Sequence, residues 1–305
     1  MKRSVLLGLS VFASLTPSIL GQITPTPSPS RVVVTDTLPP IENSKIPTSV
    51  ATKPNIRAVQ PEPSRPDNLN QNGLSFSQIK AKIAEAKRQL QTRPLTTAAS
   101  ESVVFTSLIR VAYYDWDDEK IDSIVMSKDQ FLTPLVSTMA ISANGKQVTS
   151  QTIRGNGVNT PVVITDLKGK PYLPLLVQYP RENGGIYSEM AYYVSTHPGL
   201  ITPEVVNAGR FYVHNVIEIA RDQLRNKGYV IQPKIADIAE RLATVEHVDH
   251  LRFRTEYHPN IYNDIFTLFA LNEGQTYRYS VSSAGAGGMV QMIPSTYRMV
   301  RSRFG

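Results

Sequence analysis

The sequence predicts an α+β protein with a strand-rich region in the middle of the chain and a helical region after it. Residues 101–198 are rich in β-branched and aromatic residues and are divided by short turn signals. From residue 199 onward, apolar residues recur every three or four positions, as is typical of helices. Residues 22–73 carry a proline every few positions and belong to neither region.

The first 21 residues have the features of a secretory signal peptide. Met1 to Arg3 is a positive start, and residues 5–20 form a short apolar segment broken by Ser, Thr and Pro. Gly21 offers a cleavage point, whereas the segment is too short and interrupted for a durable membrane span. An uncleaved anchor is the alternative. We therefore expect an exported protein of the periplasm or cell wall, with no stable membrane span after cleavage.

The composition narrows the possible partners. The sequence has no cysteine, which excludes a disulfide framework and a lipid-anchored lipoprotein. Its net charge of +7 suits an anionic partner such as a cell-wall polymer. The basic residues are scattered, with no run typical of a nucleic-acid-binding patch. We therefore expect no nucleic-acid partner, and the sequence leaves the oligomeric state open.

Residues 22–73 and the segment that follows them differ in composition and in the structure that they predict. The proline-rich stretch has too few large apolar residues to offset its ordering entropy, which predicts a disordered linker. From Leu74 the pattern is that of an amphipathic helix of about four turns, which Pro94 ends. We expect this helix to pack on its own protein; a role at a membrane surface is the alternative.

The strand-rich region, with the helix before it, forms an expected accessory domain at 74–198. We expect a small antiparallel sheet and find no catalytic constellation in it. Trp116, in the acidic segment DWDDE, is either a half-buried loop anchor or a sugar-stacking residue. The expected strands are 103–114, 121–126, 147–153, 162–166, 172–178 and 186–195.

A second expected domain, at 199–305, is helical. Thr202-Pro203-Glu204 starts the first helix and Gly228 closes it. The second helix runs from about 233 to 250, and the third begins near Pro259 and ends at Glu273. One face of the second helix carries the residues that we expect to be buried: Ile235, Ile238, Leu242, Val245 and Val248.

Glu273 is the candidate acid. In a regular helix Phe269 and Phe266 lie one and two turns before it, where they would shield the carboxyl group from water. The helix C-terminus adds a negative partial charge. Both effects favour the neutral form that general acid catalysis needs. The alternative is a solvated glutamate at the end of an ordinary helix.

The segment EGQTYRYSVSSAGAGGMVQMIPST, residues 273–296, resembles the catalytic half-motif of the soluble lytic transglycosylase family. That family has a glutamate followed in fixed register by Ser-x-x-Gly-Ala-x-Gly, a Gln, and Pro-x-Thr. The resemblance implies a lysozyme-like helical domain that cleaves peptidoglycan glycan strands. The matching positions here are Ser282, Gly285, Ala286, Gly288, Gln291, Pro294 and Thr296.

The resemblance also implies roles. Glu273 would be the catalytic acid and base, cutting the bond between N-acetylmuramic acid and N-acetylglucosamine and leaving a 1,6-anhydro end. Ser282, Gln291 and Tyr277 would contact the substrate. The structural loop would be Gly285, Ala286 and Gly288. No cofactor and no metal are implied.

Two departures weaken the match. Gly274 stands where the family has a serine, and the chain stops nine residues after Thr296. We expect a fragment whose catalytic domain is incomplete at its C-terminus. The resemblance covers about 50 residues, and residues 22–198 lie outside it. Two alternatives stay open: a non-catalytic peptidoglycan-binding or scaffold protein with a degenerate transglycosylase fold, and a hydrolysing muramidase of the same fold.

A metal site is a weaker alternative near the end of the second helix. His247 and His250 are three residues apart, with Glu246 and Asp249 beside them and His258 beyond. No HExxH motif is present. A solvated helix end is the expected interpretation.

Overall fold

The structure, a computed structural model, describes residues 73–93, 95–97, 100–104, 106–282 and 284–304. The expected signal peptide lies outside these residues, and so does the expected linker apart from Gly73. Helices and antiparallel strands are both present, which confirms the α+β prediction. In chain order the elements are α1 (Phe76–Gln91), β1 (Thr96–Thr97), β2 (Ser100–Val104), β3 (Leu108–Asp115), β4 (Lys120–Ser127), α2 (Lys128–Leu132), β5 (Ser137–Ile141), β6 (Gln147–Thr152), β7 (Val162–Asp166), β8 (Leu173–Asn183), β9 (Ile186–Tyr193), α3 (Pro203–Asn226), α4 (Pro233–Val245), α5 (His250–Thr255), α6 (His258–Asn272) and α7 (Pro294–Phe304).

Helix α1 begins with a capping box. The Ser75 hydroxyl accepts from the Gln78 backbone N–H, and the Gln78 side chain accepts from the Ser75 N–H at 2.8 Å. Its apolar face buries Ile79, Ala86 and Leu90 against β3 and β8. This helix therefore packs on its own protein, as its sequence predicts.

A four-stranded antiparallel sheet in the order β4-β3-β8-β9 forms the centre of the fold. Strands β8 and β9 are joined by a tight hairpin in which Gly184 and Gly185 have φ of 60° and 78°. Two consecutive left-handed residues give the type of turn that matches the twist of a hairpin. A second antiparallel sheet has the order β5-β6-β7, and β1 pairs with β2.

Both faces of β3 are covered. Ile109, Val111 and Tyr113 pack in one buried cluster with residues of the three-stranded sheet, such as Val148 and Ile164. Successive side chains of a strand point to opposite faces. The alternate residues Ala112 and Tyr114 therefore belong to a different cluster, which contains residues of α1, α3 and α6.

Helices α3 and α6 cross at close range. Gly209 in α3 makes this possible, because a Cβ atom built there would lie 1.9 Å from the carbonyl oxygen of Phe266 in α6. Thr202 caps α3 by accepting from the Val205 N–H, and Pro203 occupies its first turn. The start that the sequence predicts for α3 is confirmed.

The strand-rich and helical parts share their hydrophobic clusters. Tyr193 from β9 packs in one buried cluster with Val213, Ala243 and Phe269 from the helices. The boundary expected after residue 198 thus falls within one compact unit, which contains all the described residues.

Helix α4 differs from the sequence-based prediction in two ways. It ends at Val245, and Asp249 caps the separate helix α5 by accepting from the N–H groups of Leu251 and Arg252. Its large apolar residues also face outward. Ala236 and Ala243 are the buried residues instead, because small side chains let α4 approach α3 and α6 closely. The exposed fractions are 52% for Ile235, 60% for Ile238, 44% for Leu242 and 43% for Val245.

Within the described ranges, no helix combines the length and the apolar character needed to cross a membrane.

Candidate functional site

Glu273 lies where α6 ends, as the sequence predicts. Its backbone has φ 50° and ψ −128°, and its N–H donates to the carbonyl oxygen of Phe269. The preceding Asn272 side chain accepts from the Val194 N–H at 2.9 Å and donates to the Val194 oxygen at 2.8 Å. The end of α6 is therefore tied to the chain immediately after β9, which fixes the position of Glu273.

The Glu273 carboxylate is not shielded by the two phenylalanines. Its Oε1 accepts from the Lys80 ammonium at 2.7 Å, and the side chain is 56% exposed. Phe269 is buried and stacks on Tyr212, while Phe266 carries the Arg210 guanidinium over its ring. The expected shielding is wrong because the left-handed backbone of Glu273 takes its side chain off the face of α6.

Two tyrosines lie close to Glu273. The Tyr277 hydroxyl hydrogen-bonds with Tyr212, and a Cβ atom built on Gly274 would lie 3.3 Å from the Tyr277 hydroxyl. Burial raises the pKa of Tyr212 to about 12, and the hydrogen bond with Tyr277 and the charge of Glu273 act in the same direction. The absence of a side chain at Gly274 thus leaves space for the Tyr277 hydroxyl.

Ser282 and Gln291 both hold the shape of the loop that follows. The Ser282 hydroxyl accepts from the Ala286 N–H at 3.0 Å. The Gln291 side-chain amide donates to the carbonyl oxygens of Ser280 at 2.9 Å and Gly288 at 3.0 Å. Two of the three side chains that the resemblance assigns to substrate therefore hold this loop closed.

Two glycines of the loop have left-handed backbones. Gly285 has φ 76° and Gly288 has φ 77°, a region that side-chain-bearing residues rarely adopt. Gly285 also faces the ring of Pro294 at the start of α7. The last helix, α7, begins only at Pro294, because Gln291 has φ 45° and cannot belong to a helix.

A cavity of about 460 Å³ lies beside this segment, between the strand-rich and helical parts. Thr276, Tyr279 and Ser280 contribute to its wall, whereas Glu273 and Ser282 do not. The other polar and aromatic residues of its wall are Lys128, Asn156, Asn159, Tyr179, Arg181, Glu182, Tyr193 and His247.

The histidine-rich segment is not arranged as a metal site. His247 Nε2 bonds to the carbonyl oxygen of Met289 at 3.0 Å, and burial lowers the pKa of this histidine. His258 Nε2 bonds to the carbonyl oxygen of Phe253, and Asp249 caps α5. Within the described ranges no three such residues form a group that could hold a metal ion.

Trp116 is half-buried and packs edge-on against Tyr114 with ring centroids 5.0 Å apart. The acidic residues around it pair with lysines: Asp115 and Asp118 with Lys146, and Asp117 with Lys170. This arrangement favours the loop-anchor interpretation of Trp116 over sugar stacking.

Sequence analysis does not identify Lys80 and Tyr212 as neighbours of the candidate acid. Lys80 is 193 residues from Glu273 in the chain, so no local spacing could indicate their contact.

Comparison with known proteins found no match to the chain among family models, curated proteins or solved structures.

Proposed function

We propose that this protein is an exported lytic transglycosylase that cleaves the glycan strands of peptidoglycan in the periplasm or cell wall. The observation that carries the proposal is the register of the segment 273–296, in which Glu273 is followed at fixed spacing by Ser282, Gly285, Gly288 and Gln291. In this proposal, residues 199–305 belong to a lysozyme-like domain of the soluble lytic transglycosylase kind.

The proposed reaction needs a single carboxyl group. Glu273 protonates the oxygen that leaves with N-acetylglucosamine as the bond from C1 of N-acetylmuramic acid breaks. The resulting carboxylate then takes the proton of the C6 hydroxyl, whose oxygen bonds to C1. One glycosidic bond is lost, one 1,6-anhydro bond is formed, and no water is consumed. A hydrolysing glycosidase would instead need a second carboxylate.

Three features of the site support this proposal. The Asn272–Val194 hydrogen bonds hold the end of α6, so the position of Glu273 is fixed. Ser282 and Gln291 close the loop that follows. Glu273 is also partly exposed, so a polymer can approach it once Lys80 moves away.

The test is digestion of purified, insoluble peptidoglycan with the protein, followed by mass analysis of the released fragments. We expect products with 1,6-anhydro ends from the wild-type protein and none from Glu273→Gln. Products with only reducing ends would instead support a hydrolysing muramidase. Unchanged cleavage by Glu273→Gln would remove Glu273 from its assigned role.

The Lys80–Glu273 ion pair favours a second candidate function, a non-catalytic protein that binds peptidoglycan. The Lys80 ammonium, on another helix, occupies the carboxylate oxygen that would otherwise contact a glycosidic oxygen. This alternative predicts that the protein sediments with insoluble peptidoglycan and that no soluble fragments appear after prolonged incubation. Anhydro products would exclude it.

A further inference from the structure

We propose that the cavity of about 460 Å³ beside residues 276–280 binds a sugar unit that carries a carboxylate, and that Lys128 and Arg181 recognise this carboxylate. The inference rests on the proposed function, because residues 276–280 directly follow Glu273 in the chain. It assigns a role to the strand-rich part of the protein, which supplies both cations.

The size and the position of the cavity suit part of a polymer. Its volume lies within the range of roughly 300–1,000 Å³ that is usual for ligand pockets. One wall comes from β8, β9 and the loop Asn156–Asn159, and the other comes from α6 and residues 276–280. Residues 276–280 thus connect this wall to Glu273 along the chain.

Tyrosines give the cavity both apolar ring surface and hydroxyl groups, a combination that suits a sugar. Tyr193 and Tyr279 meet edge to face with ring centroids 5.8 Å apart, and Tyr179 lies on the β8 side. Amide and hydroxyl groups of Asn156, Asn159 and Ser280 add neutral hydrogen-bonding partners.

Tyr193 offers one further hydrogen-bonding group to a ligand. Its side chain lines the cavity and is only 2% exposed. Burial raises the pKa of Tyr193, so its hydroxyl is a neutral donor. A ligand oxygen in the cavity can accept from this hydroxyl.

The charges of the wall favour an anionic ligand. Lys128 lies 3.6 Å from Glu182, while Glu189 accepts from Arg181 at 3.2 Å and from Arg278 at 2.6 Å. Three cations therefore share two carboxylates, which leaves one positive charge in excess. Lys128 and Arg181 also lie over aromatic rings. The Lys128 ammonium lies 4.9 Å from the Tyr179 ring centroid, and the Arg181 guanidinium lies 4.8 Å from that of Tyr279. The N–H groups of Arg181 that Glu189 does not use can donate to a ligand carboxylate.

Two sources of this carboxylate exist in a peptidoglycan strand: the lactyl group of muramic acid and the peptide attached to it. Isothermal titration calorimetry with three probes distinguishes them. The probes are a neutral N-acetylglucosamine tetrasaccharide, the N-acetylglucosaminyl-N-acetylmuramic acid disaccharide with its free acid, and the same disaccharide carrying the peptide. We expect at least one acidic probe to bind roughly tenfold more tightly than the neutral one, as for a charge-assisted contact.

Three variants test whether the probes bind at the cavity. Lys128→Met is expected to reduce the affinity for the acidic probe to about that of the neutral one. Tyr193→Phe removes only the hydroxyl and is expected to weaken both the acidic and the neutral probe severalfold. The control is Lys168→Met, an exposed lysine in the turn between β7 and β8, which should change nothing. Thermal unfolding of each variant establishes that it is folded.

Three results would overturn the inference: equal affinity for the neutral and acidic probes, no binding of any probe, or unchanged affinity in both Lys128→Met and Tyr193→Phe. Its failure is distinguishable from failure of the proposed function. Binding at the cavity should survive in Glu273→Gln, whereas cleavage should not. If the acidic probe binds but peptidoglycan is never cleaved, the proposed function alone fails.

Discussion

The ammonium of Lys80 lies 2.7 Å from the carboxylate of Glu273, so a helix near the start of the described chain contacts the candidate acid 193 residues later. Both side chains are about half exposed, at 44% and 56%. Such pairs contribute little to stability, with a typical value of roughly 1 kcal/mol or less. The contact therefore matters mainly because it limits access to the Glu273 carboxylate.

We predict that Lys80→Met increases cleavage of peptidoglycan. The substrate oxygen must take the place of the ammonium, and opening a pair of up to ~1 kcal/mol corresponds to a rate increase of roughly fivefold at most. The rate of anhydro-fragment release measures this. Lys87→Met, on an exposed position of the same helix, serves as the control. A slower Lys80→Met protein would mean that the lysine assists the reaction.

The loop after Glu273 should depend on two of its glycines. We predict that Gly285→Ala and Gly288→Ala each lower the free energy of unfolding by roughly 1–2 kcal/mol, because their φ values of 76° and 77° are unfavourable for alanine. Gly287→Ala is the matched control: its φ is outside the left-handed region and the nearest contact of an added Cβ would be an ordinary 3.7 Å. Urea unfolding compares the three, and equal losses would contradict the prediction.

The stability of the protein should fall below neutral pH because of His197. This residue is fully buried, and burial lowers its pKa to about 3, while its Nδ1 accepts from the Val162 N–H at 3.1 Å. Between about pH 3 and 6.5 the unfolded chain binds a proton that the folded one does not, so the free energy of unfolding rises with pH. We expect about 2 kcal/mol less stability at pH 5 than at pH 7.5 from this residue.

His197→Gln tests this expectation, since an amide oxygen can still accept from Val162. Urea unfolding at pH 5 and pH 7.5 should show a smaller difference than in the wild-type protein. His247 contributes in the same direction, because burial also lowers its pKa, so some pH dependence should persist. A difference as large as that of the wild-type protein would refute the role of His197.

Helix α4 allows a test of which of its faces is buried. Because Ile238 is 60% exposed, we predict that Ile238→Lys changes the free energy of unfolding by no more than about 0.5 kcal/mol. Ala243 is buried, so Ala243→Leu should cost roughly 1–3 kcal/mol by overpacking. The opposite order in urea unfolding would mean that the large apolar face of α4 is covered in solution.

Strands and their turns were predictable because their signals are local. The Gly184–Gly185 turn and the apolar run of β3 both indicate structure without reference to the rest of the chain. Strand β5 was missed because it is largely exposed at a sheet edge and carries no continuous apolar pattern. The buried face of α4 was missed for a different reason: close approach of two helices selects alanine, which a search for large apolar residues overlooks.

In the candidate site, too, local features were predictable from the sequence and long-range contacts were not. The end of α6 at Glu273 was predictable from the periodicity of the helix. Its surroundings were not, because Lys80 is brought there by tertiary packing, and because a single left-handed residue redirects the carboxylate away from Phe269. Residues of the cavity wall come from several separate segments, so only the folded chain brings them together.

The hydrogen bonds between Asn272 and Val194 have a consequence for recombination between proteins. They fasten the residue before Glu273 to the chain that leaves the central sheet, while Phe269 packs in one cluster with Tyr193. Residues 199–305 therefore cannot be exchanged as a self-contained cassette. A chimera that transplants them must also bring β9 and the residues after it, or it will lose both the anchor of the candidate acid and the packing of Phe269 with Tyr193.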